Sequence, residues 1–156
     1  MNVLFVCNSN MCRSPLAVGV LKKKLNERNL EAKVESAGFE AFYINEPPEN
    51  RAVEEGLKHN IDISDNKVRL FSSEDFSKFD KIYVMDTLAY RNALYFANDD
   101  NDKSKVEFLL NLIKPGKNES VPDPFYRKLD ACEETFSIMD TACDKIAEII
   151  AKSRVN

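Results

Sequence analysis

Apolar positions in this chain change period from one segment to the next. Val3 to Val6 is an unbroken run of β-branched, aliphatic and aromatic residues, which predicts a buried strand ending at Cys7. Five residues, Asn8 to Cys12, separate that cysteine from Arg13. Ser14-Pro15 predicts a helix start, because Ser accepts hydrogen bonds from free amides and Pro fits the first turn. From Ser14 to about Asn29, Ala17, Leu21 and Leu25 recur with Lys and Glu between them, the spacing of a surface helix packed on one side. Ala32 to Ser36 alternates like a strand and runs into a turn at Ala37-Gly38.

Phe39 to Pro48 has no period but is aromatic for a loop, with Phe39, Phe42 and Tyr43 as rings that either cover the core or line a pocket. Pro48 opens a helix through Arg51, Val53 and Leu57 to about Asn60, with His59 expected in solvent as a partner of the helix dipole. Lys81 to Met85 reads as a strand, and Asp86-Thr87 as the cap of a helix carrying Leu88, Asn92, Leu94 and Tyr95. Asn98 to Lys105 reads as a surface loop, Val106 to Leu110 as a fourth strand, and Pro115-Gly116 as a turn. From about Asp130, the residues Cys132, Phe136, Met139, Cys143, Ile146 and Ile150 form one apolar stripe of a long final helix.

Strands alternating with helices predict an α/β fold of three layers, a four-stranded parallel sheet with helices on both faces. Ligands in such sheets bind beyond the carboxyl ends of the strands, where the loop after Cys7 would lie.

Composition narrows the class. At 156 residues the chain is expected to form a single domain, residues 1–156, with a full core of its own. A net charge of −4 argues against a nucleic-acid or anionic-membrane partner, and the lone basic run, Lys22-Lys23-Lys24, reads as the solvated face of a helix. No apolar run is long enough to span a bilayer, and no secretory signal is seen, so a cytoplasmic location is expected. The cysteines, Cys7, Cys12, Cys132 and Cys143, form no C-x-x-C pair and lie far from His59, so neither a metal site nor any other cofactor is expected. Cys132 and Cys143 read as core, because the helix between them spans roughly 16 Å and a disulfide needs Cα atoms within about 7 Å.

The stretch from Cys7 to Ser14 carries the chemistry. A loop wrapped over a helix start points backbone N–H groups at one spot, and the helix dipole adds positive potential there, which together make an anion site. A thiolate at that focus is stabilised and becomes a nucleophile. The planar fork of Arg13 can grip two oxygens of a phosphate. Far downstream, Asp123 between Pro122 and Pro124 sits in a stiff turn that could aim a proton donor.

Cys7-x5-Arg13-Ser14, followed by Ser36-Ala37-Gly38, Met85-Asp86 and Val121-Pro122-Asp123-Pro124-Phe125-Tyr126, resembles the low-molecular-weight protein tyrosine phosphatases in order and spacing over essentially the whole chain. The resemblance implies a phosphatase acting on phosphotyrosine proteins and small aryl phosphates, as a monomer or weak dimer. It assigns catalysis to Cys7, Arg13 and Asp123, and phosphate binding to the loop residues Asn8, Ser9, Asn10, Met11, Cys12 and Ser14. It also implies a hydrogen bond from Ser14 to the sulfur, loop bracing by Asn10 with Ser36 as partner, a substrate mouth of Phe42, Phe125 and Tyr126, and Cys12 as a reversible disulfide partner of Cys7.

Three positions depart from the family pattern. Ser9 stands where glycine is usual, Asn66 where many members have a bracing histidine, and Arg127 where glycine is common. A cation at 127 would favour acidic peptides. Three competing readings remain. An arsenate reductase of the same fold would need cysteines between Cys12 and Cys132, an arginine phosphatase would carry threonine at Met11, and a phosphopeptide-binding module would need neither Cys7 nor Asp123.

Overall fold

The computed structural model describes residues 1–124 and 131–154. Strand β1 (Val3–Val6) is buried at every residue, as a strand covered on both faces must be. It pairs in parallel with β2 (Val34–Ala37) on one side and with β3 (Lys81–Val84) on the other, and β4 (Val106–Phe108) joins β3, so the order is β2-β1-β3-β4. The register sets Val6 beside both Ala37 and Val84. Three strands therefore end at nearly one level.

Alternate residues of the sheet feed two cores. Val3, Phe5 and Tyr83 pack with α1 (Arg13–Glu27), α2 (Asn50–Lys58) and α6 (Ala131–Ser153), while Leu4, Val6, Ile82 and Val84 face the other layer. That second layer contains α3 (Asp75–Lys78) and α4 (Thr87–Tyr95), which contribute Phe76, Ala89 and Ala93. This is the expected three-layer α/β architecture. The stripe expected on the final helix is buried from Cys132 to Ile150.

Several local expectations are corrected. The first helix opens at Arg13, with Cys12 in the cap position and no side-chain cap, so Ser14 lies inside the first turn rather than before it. The second helix starts at Asn50, two residues after Pro48. Residues expected in a loop between Asn98 and Lys105 form the short helix α5 (Asp100–Ser104), capped by the Asp99 carboxylate on the Asp102 amide. The fourth strand stops at Phe108 and tightens into a 3₁₀ turn, Leu109–Leu112.

Two surface readings also change. Lys24 is not simply solvated, because its ammonium reaches Asp140 and Asp144 of α6, both at 2.8 Å, and ties the two helices together. His59 stacks on Phe136 with ring centroids 3.6 Å apart and bonds the Glu55 carboxylate at 3.0 Å. Among the described residues, no helix is long and apolar enough to cross a membrane.

Candidate active site

Helix α1 returns the chain to β2 on one side of β1, and β3 lies on the other, so the crevice at the carboxyl ends of β1 and β3 is a topological switch point. The Cys7 loop opens there. It is held from two sides, by the Phe39 amide donating to the Asn8 carbonyl at 2.8 Å and by the Met85 amide donating to the Val6 carbonyl at 3.0 Å. Gly38 makes the first of these approaches possible. A Cβ at that position would lie 2.8 Å from the Asn8 carbonyl oxygen and 2.9 Å from Asn10 Cβ.

Inside the loop, Cys7 Sγ lies 3.0 Å from Ser14 Oγ and accepts from the Asn10 amide at 3.2 Å. Ser14 Oγ donates to Asn10 Oδ1 at 2.8 Å, and Cys7, Asn10 and Ser14 are all buried. The backbone turns at Asn10, whose φ of 60° is in the left-handed region that Asn tolerates. Ser9 has no positive φ, which explains why a residue other than glycine fits there. The amides of Ser9, Met11 and Cys12 find no acceptor among the described residues, and those of Arg13 and Ser14 begin a helix. The loop thus offers unpaired donors to an anion.

Arg13 is buried and fixed at both nitrogens. Nη1 donates to the Val121 carbonyl and Nη2 to Asp86 Oδ2, each at 2.8 Å, and Asp123 Oδ2 is 3.6 Å from Nη2. Burial works against the guanidinium charge, but the Cys7 sulfur, Asp86 and Asp123 outweigh it and hold the group above its ordinary value. Asp86 divides its carboxylate, since Oδ1 caps α4 through the Ala89 amide at 2.8 Å while Oδ2 holds Arg13. The cap was legible in the sequence, whereas the Arg13 contact spans 73 residues and carried no local signal. Val121 anchors the segment that leads to Asp123 through its amide on the Met85 carbonyl as well as through Arg13.

A cavity of about 260 Å³ collects Ser9, Met11, Arg13, Asp86 and Asp123, with Tyr43 and Glu40 on its wall. Phe42 does not line it. That ring is 88% exposed and packs edge-on against Tyr43, with centroids 5.2 Å apart. Phe125, Tyr126 and Arg127 lie outside the described residues. Ser36 does not bond Asn10; its hydroxyl meets Asn66 Oδ1 at 3.4 Å, so the residue at the usual histidine position still reaches the strand beside the loop. A larger open groove of about 660 Å³ beside α1, α2 and α6 carries Lys23, Lys58, Glu133 and Asp140, charges of both signs and no cysteine. Among the described residues, no group of three or more His, Cys, Asp or Glu side chains could hold a metal.

Cys132 is buried in the same core cluster as Cys12, and its thiol together with burial pushes the Cys12 thiol up. Cys143 donates to the Ala17 carbonyl and is likewise raised by burial, as an inert core thiol would be.

The sequence model of the low molecular weight phosphotyrosine protein phosphatases matches residues 2–156. The chain belongs to this family. It is 30% identical to the low molecular weight protein-tyrosine-phosphatase YfkJ of Bacillus subtilis over 98% of this chain and 97% of that one. The human low molecular weight phosphotyrosine protein phosphatase is 35% identical over 80% of each chain. Among solved structures, a protein tyrosine phosphatase from Entamoeba histolytica superposes with a TM-score of 0.89 at 28% identity, covering 99% of both chains. An arginine phosphatase, YwlE, solved with a phosphorylated active-site serine, gives 0.87 at 25% identity over 99% of this chain and 98% of that one. Members of both specificities therefore share this fold.

Proposed function

We propose that this phosphatase hydrolyses phosphotyrosine in proteins through a cysteinyl-phosphate on Cys7. The observation that carries the reading is the meeting of Cys7 Sγ, a doubly anchored Arg13 and Asp123 around one set of unpaired loop amides. The phosphate oxygens bind the amides and the guanidinium, which leaves phosphorus above the sulfur. Sulfur attacks in line while the P–O bond to tyrosine breaks, and Asp123 gives its proton to the departing phenolate. Water, deprotonated by Asp123, then attacks the cysteinyl-phosphate, and the thiolate leaves with inorganic phosphate as product. The Ser14 hydroxyl and the Asn10 amide stabilise sulfur when it is charged, at the start and at the end.

Met11 lines the cavity where arginine phosphatases carry threonine, which supports tyrosine over arginine as the phosphorylated residue. On the same reading, peroxide oxidises the Cys7 thiolate to a sulfenic acid, and the Cys12 thiol displaces water from it to give a Cys7–Cys12 disulfide that thiols reverse.

The test is hydrolysis of p-nitrophenyl phosphate, phosphotyrosine and phosphoarginine with chelator and thiol present. Wild type should turn over both aryl phosphates, Cys7→Ser should be inactive, and Asp123→Asn should lose about 10²- to 10⁴-fold in kcat. Turnover surviving in Cys7→Ser, or phosphoarginine as the preferred substrate, would overturn the proposal.

A further inference from the structure

One carboxylate at the cavity has no part in the proposed reaction. Glu40 is half-buried on the wall, and its Oε1 accepts a hydrogen bond from Asn8 Nδ2, the side chain next to the nucleophile. The segment is already tied to the loop by the backbone bond from Phe39 to Asn8, so closure does not depend on this second contact. Glu40 Oε2 has no hydrogen-bond partner among the described residues. It is an acceptor left over at the rim.

The charge around it is one-sided. Arg13 is the sole cation among the described residues lining the cavity, and Asp86 and Asp123 already oppose it at 2.8 and 3.6 Å. Glu40 therefore adds negative charge that nothing described in the cavity balances. A phosphate seated on the loop amides and Arg13 lies at the floor, whereas the residues on either side of a phosphotyrosine pass over the wall. A carboxylate there attracts a flanking cation and repels a flanking anion.

We propose, resting on the phosphotyrosine reading above, that Glu40 is a specificity-determining residue that selects phosphotyrosine flanked by lysine or arginine. The Arg127 expectation runs the opposite way, so the two make opposed predictions about peptide charge.

The experiment measures kcat/KM of the full-length chain for two phosphotyrosine peptides that differ only in having Lys or Glu on both sides of the phosphotyrosine. Wild type should favour the Lys peptide by on the order of fivefold at low ionic strength, with the preference shrinking as salt is added. Glu40→Gln keeps an acceptor for Asn8 but removes the charge, and should bring the ratio close to one; Glu40→Lys should reverse it. A ratio of two substrates on one preparation is independent of how much of a variant folds. A wild-type preference for the Glu peptide, or a ratio that neither substitution moves, would overturn the assignment. Failure of wild type to hydrolyse either peptide or free phosphotyrosine would overturn the phosphatase reading instead.

Discussion

Replacing Ser14 with Ala removes one oxygen from the centre of the site, and its effect can be worked out from hydrogen-bond counting. Ser14 Oγ lies 3.0 Å from Cys7 Sγ and 2.8 Å from Asn10 Oδ1, with all three residues out of contact with solvent. A hydroxyl has a single proton. While the sulfur is a thiol, its S–H can point at Ser14 Oγ and the Ser14 proton at Asn10 Oδ1, so both contacts of the Ser14 hydroxyl are hydrogen bonds. Once the sulfur is charged, the Ser14 proton swings to it and Asn10 Oδ1 loses its donor. A hydrogen bond to a charged group is worth about 1.5–3 kcal/mol, and the surrendered neutral one about 1 kcal/mol. The net stabilisation of the thiolate by Ser14 is thus roughly 0.5–2 kcal/mol, or about 2- to 30-fold in its population. Ser14→Ala should slow iodoacetamide alkylation of Cys7 at pH 6, followed by mass on the Cys7 peptide, by a factor in that range. Turnover of p-nitrophenyl phosphate should slow comparably, since in the proposed mechanism sulfur is also the leaving group of the second step. Stability should fall by about 1–3 kcal/mol, because Asn10 Oδ1 is then unpaired and buried in both states. A variant that melts lower yet alkylates and turns over at the wild-type rate would refute the reasoning and leave Ser14 a packing residue.

The remaining predictions concern groups away from that centre. The Tyr83 hydroxyl is buried in β3 with no partner among the described residues, and burial raises its titration above the ordinary value, so Tyr83→Phe should raise Tm, by about 2–4 °C per kcal/mol gained for a chain of this size. An unchanged or lower Tm would mean that the hydroxyl has a partner outside the described groups. After peroxide treatment and thiol blocking, peptide mapping should find Cys7 joined to Cys12. A bridge from Cys12 to Cys132, which share one buried cluster, with Cys7 free, would refute the pairing on which the proposed reversible protection of Cys7 depends.

What the sequence made legible is what short stretches encode by themselves. Cys7, Arg13 and Ser14 are brought together by one strand end, one loop and one helix start, each with its own local pattern. Capping preferences describe a residue type and place Ser14 before the helix, whereas the loop carries Cys12 into the cap position and sets Ser14 in the first turn with its hydroxyl against the sulfur. A Pro-Asp-Pro turn by itself only makes Asp123 a candidate proton donor, and it is the family resemblance that gives it the role of general acid.

The contacts that fix the site are of another kind. Arg13 meets a carboxylate 73 residues away and a carbonyl 108 residues away, and Asn8 meets Glu40 across 32. Hydrophobic period reports which face of an element is buried, and it is silent about which polar atom waits on the other side. Asp86 shows the division within one side chain, since the oxygen serving the local helix was readable and the oxygen serving Arg13 was not. Gly38 carries a local signal of another sort. Its part is close approach rather than a turn, and a glycine directly after a strand that flanks a loop is a signal for a backbone packed against it. The same reasoning separates Cys132 from Cys143. Both lie on one apolar stripe and both are buried, but Cys132 at the start of α6 sits in the cluster with Cys12 of the loop after β1, whereas Cys143 at its middle donates to the Ala17 carbonyl of α1.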